Sequence, residues 1–251
     1  FTRWFNISFR QQIESVSQFN AIQDSNHGHF QIGSFTPALK IDLRNRSINP
    51  TSGAEFTLSS EYATPLFFSQ SGSGSTINYY KLVNRNKFYI PVTDHSVVAI
   101  STSYGIQENY ANNRNDNNEV EGYIPPIRVF RLSGSDIIRG FEDTEMNYLA
   151  DEGKDISEVE ITNRAYMVNF KLEPRFYLSD TTVFGVFYDA GRVFVNDFEA
   201  DELRSSVGLS FKLVTPVGTL DFDYGIKTLR KRDSNGNLEN PGKLHVSIGF
   251  F

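Results

Sequence analysis

Arg139 is the residue whose surroundings most strongly suggest a specific chemical role. It follows Ile138 and precedes Gly140 and Phe141, within a long polar segment of about 107–160. A guanidinium withdrawn from water needs carboxylates as partners, and its planar fork suits bidentate contacts. Long insertions between strands are usually functional or disordered. The stretch is therefore either a solvated surface loop with a turn glycine or a functional insertion.

The histidines are the other side chains with catalytic or metal-binding chemistry, and they are scattered at His27, His29, His95 and His245. Only the first two share a loop, and a pair of histidines without further ligands is more often solvated than metallated. Cysteine is absent, and no Ser/His/Asp arrangement follows from the spacing. No catalytic residue, metal site or cofactor is therefore predicted.

The composition allows a membrane protein that crosses the bilayer with strands. The chain has 251 residues with 22 Phe and 12 Tyr, and a mean hydropathy of -0.36. No segment approaches the roughly 18 apolar residues of a membrane helix, but a transmembrane barrel alternates apolar and polar residues and has the hydropathy of a soluble protein. The net charge of -6 argues against nucleic acid as the main partner.

Alternation of apolar and polar residues predicts ten strands. They fall at about 3–16, 30–46, 54–68, 76–91, 95–106, 161–178, 181–195, 205–213, 217–227 and 243–251. The connections near Pro50, Asp94, Ser179 and Pro216 are short, and those between them along the chain are longer. Short turns at one end and long loops at the other are typical of an outer-membrane barrel.

The polar face of the last five strands favours a membrane barrel over a soluble β protein. It carries an unusual concentration of charge, at Lys171, Glu173, Arg175, Asp189, Lys212, Asp221, Asp223 and Lys227. Opposite charges of this density can pair inside a lumen, and the Phe and Tyr residues near strand ends suit interfacial girdles. The predicted fold class is therefore all-β, a transmembrane antiparallel β-barrel.

Several motifs in order resemble the C-terminal part of the Omp85 superfamily barrel. They are Asp42 to Gly53, Arg139-Gly140-Phe141, Phe170 to Phe176, Val186 to Val193, Thr215 to Gly225, and the end of the chain from Val246 to Phe251. Family barrels have about sixteen strands, so the resemblance implies that residues 1–251 begin near the seventh strand. The earlier strands and the periplasmic POTRA repeats are then expected to lie outside this sequence, which reads as a fragment or a processed chain.

The resemblance also implies a role for the long loop of about 107–160. In the family this loop folds into the lumen, where its arginine meets acidic residues on the inner wall. Carried over by position, Arg139 is expected to bind Glu173 and Asp189. Gly140 would permit close approach of the backbone to the wall, and Phe141 would wedge against it.

The function implied by the resemblance is that of a BamA-like insertase in the bacterial outer membrane, which is not an enzyme. Its partners would be the lipid bilayer, unfolded outer-membrane proteins as clients, and accessory lipoproteins of an assembly complex. The gate would be the last strand, with Leu244, Val246, Ile248, Gly249 and Phe250. Two alternatives stay open: a superfamily transporter of the TamA-like or two-partner secretion type, and a ten-stranded outer-membrane barrel enzyme.

Overall fold

Ten long antiparallel strands in one sheet dominate the computed structural model, which describes residues 4–18, 28–70, 76–110, 122–133, 136–142, 145, 148–149, 154–155, 164–198, 203–216, 218–232 and 236–249. In chain order the strands are β1 (Phe5–Gln18), β2 (Gly28–Asp42), β3 (Gly53–Ala63), β4 (Thr76–Ile77), β5 (Tyr79–Thr93), β6 (Ser96–Asn109), β7 (Gly122–Tyr123), β8 (Tyr148–Leu149), β9 (Lys154–Asp155), β10 (Arg164–Tyr177), β11 (Thr182–Val195), β12 (Arg204–Thr215), β13 (Gly218–Lys227) and β14 (Gly242–Gly249). None of the helices within these ranges is long and apolar enough to span a membrane.

The long strands pair in the order β1-β2-β3-β5-β6-β10-β11-β12-β13-β14. Each is antiparallel to its neighbours, as a chain of successive hairpins requires. β4 pairs with β7 in parallel, and β8 with β9. In the described sheet β1 and β14 are the two edge strands, each with a single partner.

The two faces of the sheet differ as the alternation predicts. On β10 and β11 the charged residues Lys171, Glu173, Arg175 and Asp189 are buried on an inner face, while Val186 and Tyr188 are exposed on the outer face. On β14 the outer face is apolar, with Ile248 the most exposed. A soluble sandwich would bury the apolar face instead. The all-β antiparallel fold is confirmed.

An apolar cluster fills the space between the long loop and the inner face. From the loop it includes Leu132, Ile138 and Phe141, each fully buried, and from the sheet it includes Ile32 and Met167. Apolar burial is the main favourable term in packing a segment against a sheet. The part of the loop that the structure describes is therefore an inner layer of the protein, and the alternative of a solvated surface loop is wrong for it.

Two predicted strands end earlier than expected. The predicted strand 54–68 stops at Ala63, because Pro65 cannot donate to a strand ladder and begins a 3-10 turn instead. The predicted strand 30–46 stops at Asp42, where a turn over residues 43–52 begins. The carboxylate of Asp42 accepts two side-chain hydrogen bonds from Arg44, and these raise the pKa of Arg44 above its ordinary value.

Candidate functional site

Arg139 lies at the centre of a buried ionic site on the inner face. Its Nε and Nη2 atoms donate to the two carboxylate oxygens of Asp189, each at 2.8 Å, and its Nη1 atom donates to Glu173 Oε2 at 2.6 Å. The backbone N–H of Arg139 also donates to Asp189, at 3.1 Å. A third carboxylate, Asp223, lies 3.5 Å from Nη1. The planar fork of arginine thus contacts three carboxylates at once, which a lysine cannot reproduce.

Two further groups fix the arginine from other sides. The guanidinium carbon lies 3.6 Å from the ring centroid of Phe187, so the ring covers one face of the cation. The hydroxyl of Ser206 donates to the carbonyl oxygen of Arg139. Sequence reasoning missed both residues, although alternation places Phe187 on the same face of β11 as Asp189. The sequence does not show at which position along the strands the loop contacts the inner face, and so it does not show which residues of that face lie next to Arg139.

The surrounding wall alternates in charge. Glu173, which is fully buried, contacts Arg175 at 2.8 Å and Lys212 at 3.4 Å in addition to Arg139. Lys212 in turn donates to Asp221 at 2.9 Å. Buried charges are tolerated only when each has partners, because desolvation costs several kcal/mol per ion. Removal of any one member therefore leaves its neighbours with one partner fewer.

Gly140 brings the loop backbone into direct contact with β13. Its φ of 92° lies in the left-handed region that favours glycine. A Cβ atom on Gly140 would lie 2.8 Å from the carbonyl carbon of Gly225, and a Cβ on Gly225 would lie 2.6 Å from the Gly140 nitrogen. Two glycines facing each other thus allow a backbone contact that no other residue pair would permit.

Phe141 packs between two cations. Its ring is fully buried, and Arg204 and Lys227 lie 4.9 Å and 5.1 Å from its centroid. Lys227 also donates to the carboxylate of Glu145. Cation–π contacts of this kind are strongest when the groups are withdrawn from water. The aromatic ring therefore extends the ionic site toward the long-loop end of β12 and β13.

His245 connects the loop to the last strand. The Gly140 N–H donates to His245 Nε2 at 3.0 Å, so this ring nitrogen acts as the acceptor. His245 is the register partner of Asp223. Of the residues expected to form the gate, Leu244, Val246 and Ile248 are exposed on the outer face, Gly249 ends the strand, and Phe250 lies outside the described residues.

Replacement of His245 by leucine is expected to weaken this connection. The loss of one acceptor should lower the free energy of unfolding by about 0.5–1.5 kcal/mol, measured by urea titration in lipid vesicles. His245→Gln, which keeps an acceptor, should recover part of the loss. His95→Leu, in the exposed β5–β6 turn, is the control and should change little; equal losses at both positions would contradict a specific role for His245.

Asp136 fixes the loop to strands on the other side of the Arg139 site. Asp136 accepts hydrogen bonds from Arg85 Nη2 at 2.7 Å and from the Ser103 hydroxyl at 3.1 Å, and its carbonyl oxygen accepts from Asn169. Together with the Arg139 site, residues 136–141 contact each of seven consecutive strands of the sheet. The contacts are Arg85 on β5, Ser103 on β6, Glu173 on β10, Asp189 on β11, Ser206 on β12, Asp223 on β13 and His245 on β14. We call residues 136–141 the brace.

Comparison with known proteins identifies the family of this chain. The family model for the Omp85 superfamily domain matches residues 2–251. The outer membrane protein assembly factor BamA of Nitratidesulfovibrio vulgaris is 29% identical over 134 residues, which are 52% of this chain and 16% of that protein. The crystal structure of BamA from Haemophilus ducreyi lacking POTRA domains 1-3 superposes with a TM-score of 0.59 at 18% identity, over 88% of this chain and 44% of that one. The chain spans less than half the length of either protein. The predicted family, fold and outer-membrane location are confirmed: the chain belongs to the Omp85 superfamily.

Proposed function

We propose that the chain is the C-terminal part of the barrel of an outer-membrane protein insertase, and that β14 is the strand at which client proteins enter. The observation that carries the proposal is the hydrogen bond through which the brace holds β14, from the Gly140 N–H to His245, and the match to the Omp85 superfamily domain supports it. The match to 44% of a BamA chain supports placing these ten strands within a larger barrel, with the remaining strands and POTRA repeats outside this sequence.

A strand edge can provide backbone hydrogen-bond partners to a client strand that enters the lipid. Each unsatisfied backbone group in the bilayer core costs several kcal/mol, and an unfolded strand avoids this cost by pairing with an existing edge. β14 pairs with β13 from Gly242 to Gly249, and in this proposal a client strand pairs along its other side.

The brace supplies rigidity that an opening edge requires. Because residues 136–141 contact the seven strands from β5 to β14, they hold the wall together when the seam at β14 separates. In this proposal Arg139, Gly140 and Phe141, with Glu173 and Asp189, lock the loop in the lumen. The exposed outer face of β14 contacts the bilayer, and accessory lipoproteins are further proposed partners.

A disulfide across the seam tests the proposal in the complete protein. Residues 1–251 contain no cysteine, so in a complete protein whose other cysteines have been replaced, Ser247→Cys and a cysteine on the strand that faces β14 can be oxidised selectively. Oxidation should abolish the assembly of client barrels into vesicles, and reduction should restore it.

The matched control joins β13 to β14 and leaves the free edge available. Leu220→Cys with Ile248→Cys links two register partners, and client assembly should persist after oxidation. Undiminished assembly with the seam cross-linked would refute the gate. A loss of exoprotein secretion with client assembly intact would favour the transporter of the same superfamily.

A further inference from the structure

Residues 64–70, which we call the outer segment, fold back over the outer face of β2 near its long-loop end. Backbone hydrogen bonds join Gln31 and Gln70 in both directions, at 2.7 Å and 2.8 Å. The Ser69 hydroxyl accepts from the Gly33 N–H and donates to the Gly33 carbonyl oxygen. A Cβ on Gly33 would lie 1.7 Å from the carbonyl oxygen of Phe67. The outer segment therefore packs directly against the outer face of β2.

The outer segment exposes apolar side chains, while its Ser69 hydroxyl is buried. Leu66 is 79% exposed and Phe68 is 53% exposed, and none of residues 64–70 carries a charge. Phe68 adopts a φ of 72°, a left-handed conformation that is unfavourable for a phenylalanine and persists only where the surroundings fix it. In water the exposed apolar surface of Leu66 and Phe68 would be unfavourable in addition to this backbone strain.

The exposed residues continue the apolar outer wall. The ring of Phe67 stacks on Phe35 at 5.4 Å, and Phe35 stacks on Phe9 at 6.1 Å. Phe9 and Ile13 on β1 are themselves exposed on the outer face. Since the chain lies in the outer membrane, this surface faces lipid, and the row of rings extends it without a break into the outer segment.

The distance along β2 places the outer segment near one boundary of the bilayer. A tilted strand needs about nine to eleven residues to cross the hydrocarbon core. β2 ends at Asp42 beside a short turn, and Gly33, which contacts the outer segment, lies nine residues before Asp42. Aromatic residues are enriched at that boundary. We propose that the outer segment is a lipid anchor, which inserts Leu66 and Phe68 among the acyl chains at the outer boundary of the bilayer.

A single labelled cysteine tests the anchor. Leu66→Cys is coupled to an environment-sensitive nitrobenzoxadiazole dye, and the complete protein is reconstituted in phosphatidylcholine vesicles that contain lipid with a nitroxide on the acyl chain. Relative to the same dye at Asn240→Cys, an exposed position in the polar β13–β14 loop, the emission should shift to the blue. Quenching by the nitroxide lipid should be several-fold stronger, and quenching by aqueous iodide several-fold weaker. Phe68→Cys should give the same result independently.

Two outcomes would overturn the anchor. Iodide quenching at Leu66→Cys and Phe68→Cys equal to that at Asn240→Cys would place the outer segment in water. A blue shift that disappears when the protein is diluted in lipid would show that a second copy covers the patch instead. Ile13→Cys, on the wall of β1, gives the signal of a lipid-facing site. None of these outcomes depends on insertase activity, so the anchor can fail without the proposed function failing.

Discussion

Arg139→Ala is expected to lower the free energy of unfolding by about 3–5 kcal/mol, the range for removing one partner of a buried ion pair. The substitution leaves Glu173, Asp189 and Asp223 facing one another at the centre of the wall, with one cation fewer to compensate them. It also removes the group that covers Phe187. Urea titration in lipid vesicles, followed by the loss of the folded band on unheated gels, measures the effect.

Two variants separate charge from geometry at this site. Arg139→Lys keeps the charge but lacks the planar fork, so it should recover only part of the stability. The double variant Arg139→Ala with Glu173→Gln should lose less than the sum of the two single variants, because each removes the partner of the other. Additive losses within about 0.5 kcal/mol would contradict a shared site. Unchanged client assembly in both single variants would refute the lock as a part of the function.

The strands and their charged inner face could be predicted because alternation is a local property of the sequence. For residues such as Glu173 and Asp189, the alternation of the neighbouring residues is enough to assign the side chain to the polar face of the strand. Which acidic residue contacts the arginine depends on the register between neighbouring strands and on the position of the loop. Neither can be read from the local sequence. Asp221 and Asp223 alternate identically on β13, yet the first binds Lys212 and the second reaches Arg139. The family resemblance predicted two of the three carboxylates around Arg139, namely Glu173 and Asp189. The third, Asp223, is identified only by the structure.

The contacts of His245 and of residues 64–70 could not be predicted for a related reason. His245 is one of several polar residues on β14, and only the depth of the brace selects it as the acceptor for Gly140. The apolar run Leu66 to Phe68 looks like the end of a strand, and Pro65 was the signal against this interpretation. Even with the strand ended correctly, nothing in the sequence indicates that the chain turns outward over Gly33.

Gly225→Ala is expected to displace the brace without removing any charge. The added methyl group would lie 2.6 Å from the Gly140 nitrogen and 2.7 Å from the Arg139 carbonyl carbon. These are backbone atoms, which cannot move aside as the end of a flexible side chain can, so the brace must lift from β13. The ionic contacts of Arg139 would lengthen as a consequence. We expect a loss of roughly 1–3 kcal/mol in the same urea titration.

Gly185→Ala is the matched control for this substitution, because Gly185 lies on β11 in the same charged wall. Its nearest neighbour would be Glu173 Cγ at 3.3 Å, far less close than the backbone atoms at Gly225, so a shift of a few tenths of an ångström would accommodate the methyl group and the cost should stay below about 1 kcal/mol. The decisive measurement is Gly225→Ala combined with Arg139→Ala. If the methyl group acts by lifting the brace, its cost should shrink once Arg139 no longer holds the brace down. An undiminished cost in that background would mean that Gly225 matters to β13 alone, and that the brace is not fastened to the wall through this contact.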